Sequence, residues 1–319
     1  MEILEWLHIN ECPWDNGTCA AAARVGRRDI LSWLRKRGCP WDETTCAAAA
    51  LGGHLEVLKW AWAEGCEWDD KSICACAAEN GHTDVLRWAR SMGFPWDPNT
   101  CRLAALGGHL ETLRFARKWR CPCSEHNCMM AGAESGHLEV MEEFDEAVTR
   151  STEFCRSAAL GGHVVALKWL REQAPNGQHP WNNETPANAA THGRLALLKW
   201  ARANGCGWNA ATCCANAAKN GHLDVLMWIR SQASGHWKEG DMCYYAAVGG
   251  SVRVMMYVRS QGCPWDSKLR TCEVAAKNGH LELLQWCRAN GCPWRADKMC
   301  KYAANQYEVL RWVKVQGCT

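Results

Sequence analysis

One stretch constrains the fold more than any other: residues 38–64, GCPWDETTCAAAALGGHLEVLKWAWAE. It returns as GCEWDDKSICACAAENGHTDVLRWARSM from Gly65 and as GCPWDSKLRTCEVAAKNGHLELLQWCRAN from Gly262. Indexed on His54, the copies stand at Arg27, His54, His82, His109, His137, His163, Arg194, His222, Ser251, His280 and Gln306, spaced 26 to 31 residues apart. A unit recurring at such a period is one supersecondary element that buries its apolar face only by stacking on its neighbours. The sequence therefore predicts one repeat array over 1–319, not a set of unlike domains.

The second half of the unit reads as a helix. Leu55, Leu58 and Ala61 fall on one stripe, flanked by Val57 and Trp60. Glu56/Lys59, Asp84/Arg87, Glu111/Arg114 and Glu308/Arg311 are expected i,i+3 ion pairs. Gly65 suits the residue just past the helix end. In the loop, Pro40 blocks helix continuation and Asp42 is placed to cap the next helix. That helix carries Cys46 and the small run 47–50, which allows close helix approach, and Gly52-Gly53 supplies a tight turn back to His54. Each unit is thus helix, turn, helix, loop. The segment 1–10 matches only a second helix, so the chain is expected to start with an N-terminal half repeat. The middle, 121–181, breaks the pattern: Glu143 replaces the helical Trp, 147–150 lacks the C-P-W loop, and 173–179 is an insertion. Residues 292–319 read as a degenerate C-terminal capping repeat.

Residues 44–58, T-T-C-A-A-A-A-L-G-G-H-L-E-V-L, resemble the ankyrin repeat T-P-L-H-x-A-A-x-x-G-H-x-E-[IV]-[VL]. The A-A-x-x-G-H-L-E-V-L half matches and the T-P-L-H half does not. The resemblance covers essentially the whole chain. It implies an all-α, ankyrin-like helical solenoid of about eleven short repeats plus the half repeat, with β-hairpin fingers reduced to loops. The C-P-W-D variant is similar to divergent ankyrin arrays of large DNA viruses, algae and oomycetes. In that family the His column is structural, and partners lie in the groove formed by first helices and loop tips. The resemblance also implies an alternative role, a substrate-recruiting adaptor of ubiquitin ligase machinery, whose F-box-type module would precede Met1.

Composition narrows the function classes. Net charge is +2 among 319 residues, so the chain lacks a global polyanion-binding field and no nucleic acid partner is expected. The start MEILEWLHIN has neither a basic nor an apolar leader segment, and no apolar run reaches the ~18 residues of a membrane span. The 22 Cys recur in register with the repeat, as do most of the 20 Trp. Reduced thiols and an intracellular, cytoplasmic setting follow (a host cytoplasm for a viral chain).

The Cys form two ladders, one in the loops (Cys12, Cys39, Cys66, Cys121, Cys206, Cys263, Cys292, Cys318) and one on first helices (Cys19, Cys46, Cys74, Cys101, Cys155, Cys214, Cys243, Cys272, Cys300). Within a ladder, neighbours lie about 10 Å apart, too far for a disulfide, so packing is the expected role. The Trp ladders are expected in the core, and the Lys and Arg of the second helices on a solvated face. The His column lacks a repeated acid/base or nucleophile partner, so no enzyme activity and no cofactor is expected. Cys121, Cys123, His126 and Cys128 are the exception, four zinc-type ligands in eight residues at a non-standard spacing. They define a less favoured reading, a Cys-based metal or redox sensor.

A variable column points to partner binding. It lies two residues after Cys46 and reads Ala21, Ala48, Cys76, Leu103, Ala131, Ser157, Asn188, Asn216, Tyr245, Val274 and Tyr302. Its C-terminal half is polar and aromatic, with Tyr244, Lys219, Lys277 and Lys301 nearby. Tyr and Asn combine contact area with hydrogen bonding. The expected function is a monomeric, non-catalytic scaffold that binds a protein partner through this surface.

Overall fold

Helices packed in pairs account for the structure, a computed structural model that describes residues 2–144, 151–173, 181–232, 241–266 and 270–317. Expectations for 147–150, for 174–179, for Trp237 and for Cys318 lie outside these residues. The described residues form twenty-three helices and no strand. Packing groups them into two bodies, Met1–Arg150 and Ser151–Thr319.

In the first body, a lone α1 (Glu2–Ile9) precedes five helix pairs: α2 (Asn16–Arg24) with α3 (Arg28–Lys36), α4 (Glu43–Leu51) with α5 (Leu55–Ala63), α6 (Asp70–Glu79) with α7 (Thr83–Ser91), α8 (Pro98–Leu106) with α9 (Leu110–Lys118), and α10 (Glu125–Ser135) with α11 (Leu138–Glu142). The second body has six: α12 (Thr152–Gly161) with α13 (Val164–Glu172), α14 (Glu184–Thr191) with α15 (Leu195–Ala203), α16 (Ala210–Lys219) with α17 (Leu223–Gln232), α18 (Asp241–Gly249) with α19 (Val252–Ser260), α20 (Arg270–Lys277) with α21 (Leu281–Ala289), and α22 (Ala296–Tyr302) with α23 (Tyr307–Val315). The half repeat α1 buries no residue, and Ile3, Trp6 and Ile9 stay exposed.

Small side chains set the layering. First helices bury Cys46, Ala49 and Ala50, or Cys101, Ala104 and Ala105, completely, so their backbones approach closely. In each body first helices pack intimately on first helices, whereas second helices touch each other sparingly. Second helices contribute the larger core residues. On α5 these are Val57, Leu58 and Ala61, and Leu55 is only half-buried. Removing a Leu58-sized side chain from water contributes roughly 1.5–3 kcal/mol.

The loops cap as the sequence suggests. Asp15, Asp42 and Asp97 accept from the backbone N–H of Thr18, Thr44 and Thr100, and Gly65 takes a φ of 80°. Of the expected i,i+3 ion pairs, Lys59–Glu56 forms at 2.8 Å. Arg114 instead reaches Glu143 on the following repeat at 2.8 Å, because the Trp column has become a carboxylate there.

The Trp ladders are not core. Except for Trp96, every Trp of the two ladders whose side chain is described is half-buried or exposed. Loop and helix Trp of one repeat meet edge to face, as in Trp41–Trp60 at 5.9 Å and Trp181–Trp200 at 5.8 Å. Nor are the arginines of the second helices merely solvated. The Arg two residues after the helical aromatic stacks on the next loop Trp: Arg35 on Trp41 at 4.2 Å, Arg202 on Trp208 at 4.7 Å, Arg259 on Trp265 at 4.2 Å. The same guanidinium donates to the carbonyl of the loop residue four further on, Arg202 to Cys206 at 2.7 Å and Arg288 to Cys292 at 3.2 Å. At Arg35, Arg90, Arg202, Arg259 and Arg288 an aromatic-x-R pattern thus clamps the loop to the preceding helix end. Arg202→Ala should cost about 1–2 kcal/mol in urea unfolding, and Arg202→Lys should recover little of it, since an ammonium lacks the planar fork. Full recovery by Lys would show that charge alone matters.

Candidate partner-binding surface

The turn between the paired helices fixes everything that the first helix presents. Gly53 adopts a φ of 72°, and the ring of His82 from the next repeat lies where its Cβ would be, with Nδ1 2.4 Å from that point. His82 Nε2 then donates to the Leu51 carbonyl at 3.1 Å. The same strut joins His54 to Arg24, His109 to Glu79, His222 to Thr191 and His280 to Val248, at 3.0–3.1 Å. Arg194 and Gln306 replace His and donate to Leu160 and Lys277 at 3.3 and 3.4 Å. In these five His the column ties each first helix to the next repeat through a ring nitrogen already committed to a main-chain carbonyl.

Burial holds the His109 pKa below the ordinary 6.5, with the charges of His137 and His82 acting in the same sense and the bond to Glu79 opposing. The unfolded chain therefore takes up this proton at a higher pH than the folded one. Stability from neutral His109 is present above 6.5 and is lost as pH falls from there towards the folded pKa. Urea midpoints at about pH 7.5 and 5.5 should differ less in His109→Gln than in the wild type, because Gln serves at position 306 without titrating. An unchanged difference would remove His109 as a source.

On this frame the variable column is half-buried between successive first helices: Ala48, Cys76 and Leu103 in one body, Asn188, Asn216, Tyr245, Val274 and Tyr302 in the other. In the irregular repeats Ala131 and Ser157 are fully covered. Asn216 Nδ2 donates to the carbonyl of Ala187, next to Asn188, at 3.4 Å. Lys219 Nζ lies 4.8 Å from the Tyr245 ring centroid, and the Tyr244 ring lies 5.6 Å from that of Tyr245. Lys219, Lys277 and Lys301 are exposed. The structure therefore brings Lys219, Tyr245 and Tyr244 into one line, and sets Tyr302, Lys277 and Lys301 on other first helices of the same body.

Sequence reasoning missed the far end of this line. The Arg270 guanidinium sits 4.5 Å from the Tyr244 ring, bonds Asp266 at 2.7 Å and reaches Asp241 at 3.2 Å. Asp266 is almost wholly buried. A second pair joins Arg295 to the buried Glu273. The signal was present: Asp241 and Arg270 occupy the Thr44 column in consecutive repeats, so opposite charges stand side by side.

The two Cys ladders meet each other rather than themselves. Between the first helix of one repeat and the loop that opens the next, the thiols of Cys19 and Cys39, Cys46 and Cys66, Cys101 and Cys121, Cys243 and Cys263, and Cys272 and Cys292 interact, each pair twenty residues apart. The loop thiols also donate to the loop carbonyl of the previous repeat, Cys66 to Asp42 at 3.3 Å and Cys121 to Asp97 at 3.4 Å. Burial pushes Cys155 up to about 12 and Cys206 to about 11, which keeps both protonated at neutral pH. Of the candidate ligands Cys121, Cys123, His126 and Cys128, the three thiols join Cys101 in one cluster. Among the described residues, no three or more His, Cys, Asp or Glu are arranged to hold a metal ion.

Compared with protein-family models and with curated proteins, the chain matches none. Among the described residues no helix is long and apolar enough to cross a membrane.

Proposed function

We propose that the chain is a non-catalytic, ankyrin-like scaffold that binds a protein partner across the first helices of the 151–319 body. One observation carries this reading. A column that is Ala, Cys or Leu in one body carries Asn188, Asn216, Tyr245 and Tyr302 in the other, half-buried and so held in place with one side to solvent. Side chains ordered in this way lose little entropy on contact. Lys219 lies against Tyr245, Lys277 and Lys301 are exposed on following first helices, and among the described residues none of the three is paired with a carboxylate. The partner segment that fits is extended or helical and acidic, with charges steering it and the Tyr rings supplying contact area.

The test is a double variant. Tyr245→Ala with Tyr302→Ala should move the urea midpoint little, since both side chains are half-buried. It should weaken capture of the wild type's lysate partners by roughly tenfold or more, as loss of two aromatic contacts would. Equal capture by both proteins would sink the proposal. So would unfolding of the variant, which would make these residues structural.

A further inference from the structure

We infer that Cys123 and Cys128 form a reversible dithiol–disulfide site, oxidised by small hydroperoxides through Cys123. The Sγ atoms stand 3.5 Å apart, beyond a bond but in van der Waals contact. Cys123 is half-exposed and Cys128 fully buried, so one thiol meets solvent and the other waits behind it. Cys123 directly precedes Ser124, which caps α10 by accepting from the Asn127 N–H at 3.3 Å, and Cys128 sits in the first helical turns. The bond would therefore tie the incoming loop to its helix without crossing between repeats.

The sequence context singles out this pair. Most other repeats place Trp at the Cys123 position, as in Trp41, Trp68 and Trp96, and where a second Cys recurs in the Cys128 column, at Cys213, the loop residue is Trp208. Both thiols arise in the same repeat, one whose loop lacks the Trp of the Trp–Arg clamp. The Arg117 that would stack on that Trp instead pairs with Glu125 and Glu143, at 3.0 and 3.3 Å, and its charge still favours a thiolate at Cys123. Hydrogen bonds from Cys101, then from Cys128, hold the Cys123 thiol below its ordinary pKa, whereas the bond to Cys123 and burial hold Cys128 above. This asymmetry suits an attacking thiolate and a resolving thiol.

The chemistry balances in two steps. The Cys123 thiolate attacks the distal peroxide oxygen, the O–O bond breaks, and hydroxide or alkoxide leaves with a sulfenic acid formed. The Cys128 sulfur attacks Cys123, the S–O bond breaks, and the Cys128 proton leaves with the departing oxygen as water. The dithiol loses two electrons and the peroxide gains them.

The experiment treats the reduced full chain with limiting hydrogen peroxide, then alkylates, digests and maps it. The expected result is a loss of two titratable thiols per chain, mapped to Cys123–Cys128 and restored by dithiothreitol. Cys128→Ser should instead accumulate a Cys123 sulfenic acid that dimedone labels, and the wild type should not. A first bond mapped to Cys101–Cys121 or to any other pair overturns the inference. So does oxidation of Cys123 in the wild type without loss of Cys128.

Discussion

Phe154→Ala should destabilise the 151–319 body by about 3–5 kcal/mol, the range for emptying an enclosed aromatic site. Phe154 is fully buried and heads the fully buried side chains in size. It lies on α12 in a column that holds Thr45, Thr100, Thr185 and Thr271 in other repeats, so its pocket is a local one shaped by this repeat. Packing in a repeat array passes mainly between neighbours, so the loss should concentrate at the start of the body. Urea unfolding should acquire an early phase, and hydrogen exchange should quicken in α12 and α13 first. Phe154→Leu should recover more than half of the loss. A loss below about 1 kcal/mol for the Ala variant would mean that the ring is not enclosed.

Gly53→Ala should cost roughly 2–4 kcal/mol, for two separable reasons. The φ of 72° is left-handed, which costs an L-residue about 1–2 kcal/mol. The new Cβ would also fall 2.4–2.7 Å from the His82 ring, expelling it and breaking its bond to Leu51. A double-mutant cycle separates the two. If the ring is the obstacle, Gly53→Ala in a His82→Ala background should cost only the backbone part, leaving a coupling energy of about 1–2 kcal/mol. Additive losses would mean that the ring moves aside freely.

Much of the fold was legible because the repeat averages out local noise. Helix pairing, the Asp42 cap, the Gly65 terminus and the small-residue first helix each followed from one copy and recurred in several others. Four things were not legible, for a common reason: each depends on how different columns meet, which no single column shows. The Trp ladders looked like core because Trp is apolar, yet a core built on Ala and Cys has no room for indoles, and they remain at its edge under arginines. The aromatic-x-R clamp was visible as spacing, but its meaning needs the loop carbonyl that Arg202 reaches. The Cys were compared only down each ladder, where they are too far apart, and never across, where Cys46 meets Cys66. The variable column was legible, but the Arg270 bridge was not, since it needs three columns read together.

The His–Gly strut has a direction. His82 covers Gly53, the positive-φ turn glycine of the repeat before it, and His54, His109, His222 and His280 cover Gly26, Gly81, Gly193 and Gly250 in the same sense. A chain emerging from the ribosome therefore completes each turn only when the following repeat has been made. The growing end is always one repeat behind, with its newest turn uncovered until the next His arrives. Stalling after a complete helix pair should leave that pair more protease-sensitive than the one before it, and translation itself should proofread the register by latching each repeat from behind.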